Sequence, residues 1–148
     1  LKPGTTGTLR LLRTESDILP VDRETLFELS IASVPSGKVE NQSVKVAMRS
    51  VFKLFWRPEG LPGDPLEAYQ QLRWTRNSQG VQLTNPTPYY INLIQVSVNG
   101  KALSNVGVVP PKSQRQTSWC QAIAPCHVAW RAINDYGGLS AKKEQNLL

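Results

Sequence analysis

Between Ser43 and Trp56 the sequence alternates with a period of two. Val44, Val46, Met48, Ser50, Phe52, Leu54 and Trp56 hold the even positions, while Lys45, Arg49, Lys53 and the following Arg57 hold odd ones. Successive side chains of a β-strand point to opposite faces, so the run predicts one extended strand with an apolar face and a basic face. Its fourteen residues exceed the about five or six of an ordinary strand. An apolar face of that length must be covered by another layer or by a partner.

The rest of the chain keeps the same period, and no window gives a helical stripe over three turns. Strands are expected at Thr6 to Arg13 and at Thr25 to Val34, the latter stopped by Pro35-Ser36-Gly37. Arg57 to Pro65 packs three prolines and two glycines into nine residues, which sustains neither helix nor sheet and predicts a hinge between domains. Beyond it, strands are expected at Gln71 to Arg76, Gly80 to Leu83, Tyr89 to Val98, Lys101 to Leu103, Val106 to Val109, Ser113 to Cys120 and His127 to Ile133. Asn99-Gly100 is a two-residue hairpin signal. About seven short strands in this half is the count of an immunoglobulin-like sandwich. The fold class expected is therefore all-β, built on an immunoglobulin-like β-sandwich. The front half offers only three strands in 56 residues, too few to close a sandwich, and missing sequence is the expected cause.

Composition limits the function classes. The chain has 148 residues, 17 Lys and Arg against 11 Asp and Glu, and a net charge of +6. Apolar residues make up 40%, enough for a packed core. The longest uncharged segment, Gly80 to Gly100, is interrupted by Asn85, Pro86, Pro88, Asn92 and Asn99, so no membrane insertion is expected. Leu1 follows no initiator Met or apolar leader, which suggests a processed form or a fragment. The cations do not cluster with interleaved aromatics beyond the row Lys45, Arg49, Lys53 and Arg57 around Phe55, so no nucleic acid is expected; a carboxylate or an acidic protein suits such a row equally well.

Little is available for catalysis. Cys120 and Cys126 fit no zinc spacing and are either a reduced pair or a disulfide, with the structural disulfide preferred and, weakly, an oxidising compartment. Cys120 with His127, the single histidine, is a candidate thiol nucleophile and base, and no orienting third group is evident nearby. Asn41-Gln42-Ser43 matches a glycosylation sequon, a pattern too short to weigh much.

Four motifs stand in order along the chain: Leu19-Pro20-Val21-Asp22-Arg23-Glu24-Thr25-Leu26-Phe27 ending at Val34-Pro35, Val51-Phe52-Lys53-Leu54-Phe55-Trp56-Arg57-Pro58, Asn85-Pro86-Thr87-Pro88-Tyr89-Tyr90 and Ile133-Asn134-Asp135-Tyr136-Gly137-Gly138. Together they resemble those of the periplasmic pilus-assembly (PapD-like) chaperones of Gram-negative bacteria. The resemblance implies two immunoglobulin-like domains in a boomerang, the first lacking its first four strands. Residues 1–57 would end that domain, 58–65 would be the hinge and 66–148 the second domain. Length alone suggests one domain; at ~100 residues per immunoglobulin-like domain it gives one and a half. Glu28 stands where the family usually has an aromatic, and Ser30 where it usually has Asn.

The resemblance also gives the long strand a use. Ser43 to Trp56 would be the edge strand that these chaperones lend to pilus subunits, with Val44, Val46 and Met48 filling the subunit groove. Donor-strand complementation between chaperone and pilin is an established instance of β-strand addition. Lys53 would anchor the subunit's terminal carboxylate together with an arginine that this sequence lacks. Glu24, Arg57 and Asp135 would form an interdomain ionic network, and the short connection from Val34 to Ser43 suggests the subclass serving adhesin-tipped pili. Implied partners are pilus subunits and an outer-membrane usher, in the periplasm, with no nucleotide, metal or catalysis. A generic immunoglobulin-like binding or adhesion module, a non-functional chaperone fragment and a thiol enzyme are the alternatives.

Overall fold

The computed structural model describes residues 4–12, 14, 18–34, 46–121 and 125–148. These residues are all-β apart from one 3-10 turn, Ala68–Gln71. Strands β1 (Thr25–Ser33) and β2 (Met48–Trp56) pair antiparallel as a two-stranded sheet, with Thr25 opposite Trp56 and Ser33 opposite Met48. The remaining strands are β3 (Arg73–Asn77), β4 (Gly80–Asn85), β5 (Ile91–Val98), β6 (Lys101–Ala102), β7 (Val108–Val109), β8 (Ser113–Thr117), β9 (Cys126–Ile133) and β10 (Lys143–Leu147). They form a β3-β4-β8 sheet and a β10-β9-β5-β6 sheet, with β7 pairing β5.

The core sits between those two sheets. Trp74, Val81 and Leu83 from one face Ile91, Leu93, Val96, Val128 and Trp130 from the other, all buried. The indoles of Trp74 and Trp130 lie 5.2 Å apart, and Trp130 Nε1 donates to the Tyr69 carbonyl at 3.1 Å. The front half lacks a comparable interior among its described residues. Leu9, Leu11, Leu12, Phe27, Val51, Phe52, Leu54 and Trp56 are all exposed.

Several expectations are corrected. Residues 6–12 are not a strand, because no neighbouring strand among the described residues accepts their backbone bonds; Arg13 lies outside the described residues. The long third strand begins at Met48 rather than Ser43: β1 ends at Ser33, so Val46 and Ala47 have no ladder partner among the described residues, and 43–45 lie outside them. The expected strand from Tyr89 opens at Ile91 and is interrupted by a bulge between Ile94 and Ser97, where Gln95 takes φ 52°. β10 was not anticipated, since Lys143-Glu144-Gln145-Asn146-Leu147 is almost wholly polar and buries only Leu147. At Asn99-Gly100 both residues have positive φ, 49° and 77°, and Val98 pairs with Lys101, giving the two-residue hairpin that this dipeptide predicts.

The Pro/Gly segment lies on the sandwich. Leu61 packs against its core, and the Tyr89 hydroxyl reaches the carbonyls of Leu61 and Gly63 at 3.2 and 3.1 Å. Positive φ at Gly60 and Gly63 permits the two bends.

Candidate functional site

The β1–β2 ladder determines which side chains share a face. Leu26 lies opposite Phe55, Glu28 opposite Lys53 and Ser30 opposite Val51, and one step beyond Thr25 and Trp56 come Glu24 and Arg57. The Glu24 side chain is buried although charged, and its partners account for that. Arg57 Nε donates to Oε1 at 2.6 Å, and the Tyr90 backbone N–H donates to Oε2 at 2.6 Å. The Glu24 N–H in turn donates to the Pro88 carbonyl at 2.9 Å.

Arg57 is the junction of this arrangement. Its Nη1 and Nη2 donate to the two oxygens of Asp135 at 2.6 and 3.0 Å, a bidentate pair, and the guanidinium lies 5.4 Å from the Tyr89 ring centroid. The hydrogen bond to Asp135 raises the Arg57 pKa and lowers that of Asp135. The structure thus brings Glu24, Arg57 and Asp135 together from the start of β1, the end of β2 and the turn after β9.

A further ionic contact was not singled out by the sequence. Asp22 accepts from Lys112 at 2.7 Å and from both Arg23 Nε and Nη2 at 2.9 Å. Those bonds, Arg23 first, hold the Asp22 carboxyl well below the ordinary carboxylate range. Ninety positions separate Asp22 and Lys112, so no local pattern could have paired them.

Between the first sheet and the sandwich opens a cleft of about 720 Å³, lined by Lys53, Phe55, Arg57, Tyr90, Asn92 and Asp135 among others. The rings of Phe55 and Tyr90 meet there at 5.4 Å. Lys53 projects into it, exposed and without an ion-pair partner among the described residues. Arg57 is committed to Glu24 and Asp135, so among the described residues lining the cleft Lys53 is the cation available to an incoming anion. Met48 opens β2 and Val46 precedes it, 69% and 66% exposed, and neither lines the cleft; Val44 lies outside the described residues. A second, apolar groove of about 390 Å³ is lined by Leu11, Leu12, Leu19, Phe27, Leu54 and Trp56.

Cys120 and Cys126 are joined as a disulfide, which removes the thiol nucleophile that the enzyme alternative requires. His127 faces Glu144 at 3.9 Å instead. No group of three or more potential metal ligands occurs among the described residues.

Residues 67–144 match the family model for the C-terminal domain of the pili assembly chaperone PapD, and residues 1–62 match that for the N-terminal domain of PapD among pili and flagellar-assembly chaperones. The chain belongs to the pilus-assembly chaperone family. It is 39% identical over 139 residues to the probable fimbrial chaperone protein ElfD of Escherichia coli (strain K12), covering 93% of this chain and 59% of that protein. It is 34% identical to the chaperone protein FimC of the same strain, covering 92% and 57%. Among solved structures it is similar to a chain in the complex of the Salmonella enterica SafA pilin with the SafB chaperone, with TM-score 0.75, 30% identity and coverage of 89% and 64%. The E. coli chaperone DraB gives TM-score 0.73 at 32% identity, with coverage of 88% and 62%. The chain therefore spans about 60% of the length of the curated relatives it matches. The cleft of this family member lies between regions matched by the two family models.

Proposed function

We propose that the chain acts in a periplasmic chaperone that holds pilus subunits by donor-strand complementation and delivers them to an outer-membrane usher. In this reading residues 1–57 end the first domain, 58–65 are its hinge and 66–148 form the second domain. The observation that carries it is the position of β2. Among the described residues it is one edge of a two-stranded sheet, it exposes an apolar row, and it leads to an unpaired lysine in a cleft. An open edge offers backbone donors and acceptors to a partner strand, and alternate side chains offer anchors. Burying Val44, Val46 and Met48 in a subunit groove would contribute roughly 1.5–3 kcal/mol each. Lys53 would fix the register by a charge-assisted bond to the subunit's terminal carboxylate. Glu24, Arg57 and Asp135 would hold the angle at which the cleft stays open. The complex of the SafB chaperone with the SafA pilin lends support by similarity of fold.

The test is co-purification of the full-length protein with its pilin from the periplasm. Lys53→Ala and, separately, Val46→Glu are expected to abolish stable complexes. Undiminished complexes with both variants would refute the donor-strand reading.

A further inference from the structure

We infer that the Asn92 side-chain amide is a second anchor in the cleft: together with the Lys53 ammonium it binds the carboxylate that ends an extended peptide, each donor taking one oxygen. The inference rests on the reading of Lys53 as a carboxylate anchor and extends that anchor to the sandwich wall of the cleft.

The two walls of the cleft meet in rows. On the β2 wall, Val51, Lys53, Phe55 and Arg57 all line it, as residues spaced by two on one strand face do, each one pleat of roughly 6.7 Å from the next. On the sandwich wall, β5 pairs with β9 so that Asn92 stands opposite Ile133, and two residues out along each chain come Tyr90 and Asp135. That outer row touches β2: Arg57 holds Asp135 at 2.6 Å, and the Phe55 ring meets the Tyr90 ring at 5.4 Å. One pleat further along each wall stand Lys53 and Asn92, both lining the cleft and not bonded to each other. The space between them belongs to the cleft, and a ligand group placed there reaches both.

The amide is available for that role. Asn92 is half-buried, has no side-chain hydrogen bond among the described residues, and is not sealed from solvent. Its neighbours on the same wall are already engaged: Asp135 is bound by Arg57, and Asn134 Oδ1 accepts from the N–H groups of Tyr136 and Gly138 at 3.1 and 2.8 Å. Lys53 supplies charge, while Asn92 Nδ2 supplies a directed donor without a second charge. A carboxylate has an oxygen for each, and both bonds are charge-assisted; a terminal carboxamide has one acceptor oxygen and no charge. Ile133, Phe55 and Tyr90 flank the place with apolar surface, which strengthens polar bonds made there.

The test uses the chain labelled with nitrogen-15 and an extended Val/Thr peptide, supplied with a free carboxylate or as its terminal amide. The free-carboxylate peptide is expected to bind more tightly and to shift the Asn92 side-chain NH2 signals, which the amidated peptide moves less. Asn92→Ala is expected to reduce the preference for the free carboxylate about ten-fold. Asn92→Asp keeps the side chain's size and adds a negative charge, so it is expected to abolish the preference while leaving affinity for the amidated peptide within about two-fold. Tyr90→Phe, which removes the nearest hydroxyl on that wall, should leave the preference unchanged. A preference that Lys53→Ala destroys and both Asn92 variants retain overturns the inference and leaves the lysine anchor standing. One that survives Lys53→Ala and is lost in Asn92→Asp upholds the amide and rejects the lysine reading, and no preference in the unaltered chain rejects both. If a variant fails to fold, the NH2 signals of the unaltered chain decide: unmoved by the free-carboxylate peptide, they refute the contact.

Discussion

Asn85 is buried completely, and its side chain is fully occupied. Nδ2 donates to the carbonyls of Tyr89, Val109 and Pro110 at 2.8, 3.3 and 2.9 Å, while Oδ1 accepts from the Thr87 N–H and hydroxyl at 3.0 and 2.7 Å. One amide thereby satisfies the turn that leads to Tyr90 at the cleft. Replacing Asn85 by Ala leaves several of those groups buried and unpaired, at about 1–3 kcal/mol for each such group. Asn85→Ala is expected to lower stability by about 3 kcal/mol in guanidinium unfolding followed by Trp fluorescence. Residue identity carried part of this: Asn-Pro-Thr-Pro marks a turn by its own chemistry. That the asparagine bonds a carbonyl 24 positions away was not legible, because its partner comes from β7.

At the scale of elements, β1 and β2 are held to the sandwich by charge. Asp135 is a carboxylate whose pKa is depressed chiefly by its hydrogen bonds from Arg57. Its folded value lies below its unfolded one, so the stabilisation is complete above the unfolded value near 3.8 and is lost as pH falls through the folded value. Thermal unfolding scanned from neutral pH into acid should show the contact between the first sheet and the sandwich weakening below about pH 4. Asp135→Asn is expected to be less stable than the wild type at neutral pH and to lose less on acidification. Parallel acid limbs in the two proteins would show that the pair contributes nothing measurable. Strand identities here followed from alternation, but their ends did not. The pairing of Ser33 with Met48 set where β2 starts, and a two-residue periodicity has no information about a neighbour's length.

For the molecule as a whole, the contrast is between a sandwich with an interior and a sheet without one among the described residues. The β3–β10 sandwich buries two tryptophans, while the β1–β2 sheet exposes Phe52, Leu54 and Trp56 at 51%, 39% and 46%. Contiguous exposed apolar surface of this kind binds hydrophobic dyes and promotes association. Dye fluorescence is expected to be strong for the chain and to fall in a Phe52→Thr, Leu54→Thr variant. The sandwich's own unfolding transition should stay unchanged, since neither residue belongs to its core. Dye binding that persists in this variant would place the exposed apolar surface elsewhere.

The order of the residues by itself determined the all-β class, the family, the disulfide partners' proximity and the Asn99-Gly100 hairpin, because each depends on identities and spacings a few positions long. Membership in the pilus-assembly chaperone family was legible for the same reason, in four motifs that the family models cover almost end to end. Only the tertiary structure decided that residues 6–12 form no strand, that polar β10 does, and that Asp22 meets Lys112. It also decided that Glu28 stands across from Lys53. Each of these is a statement about a partner distant in sequence, and a strand or an ion pair has no meaning until packing supplies the other half.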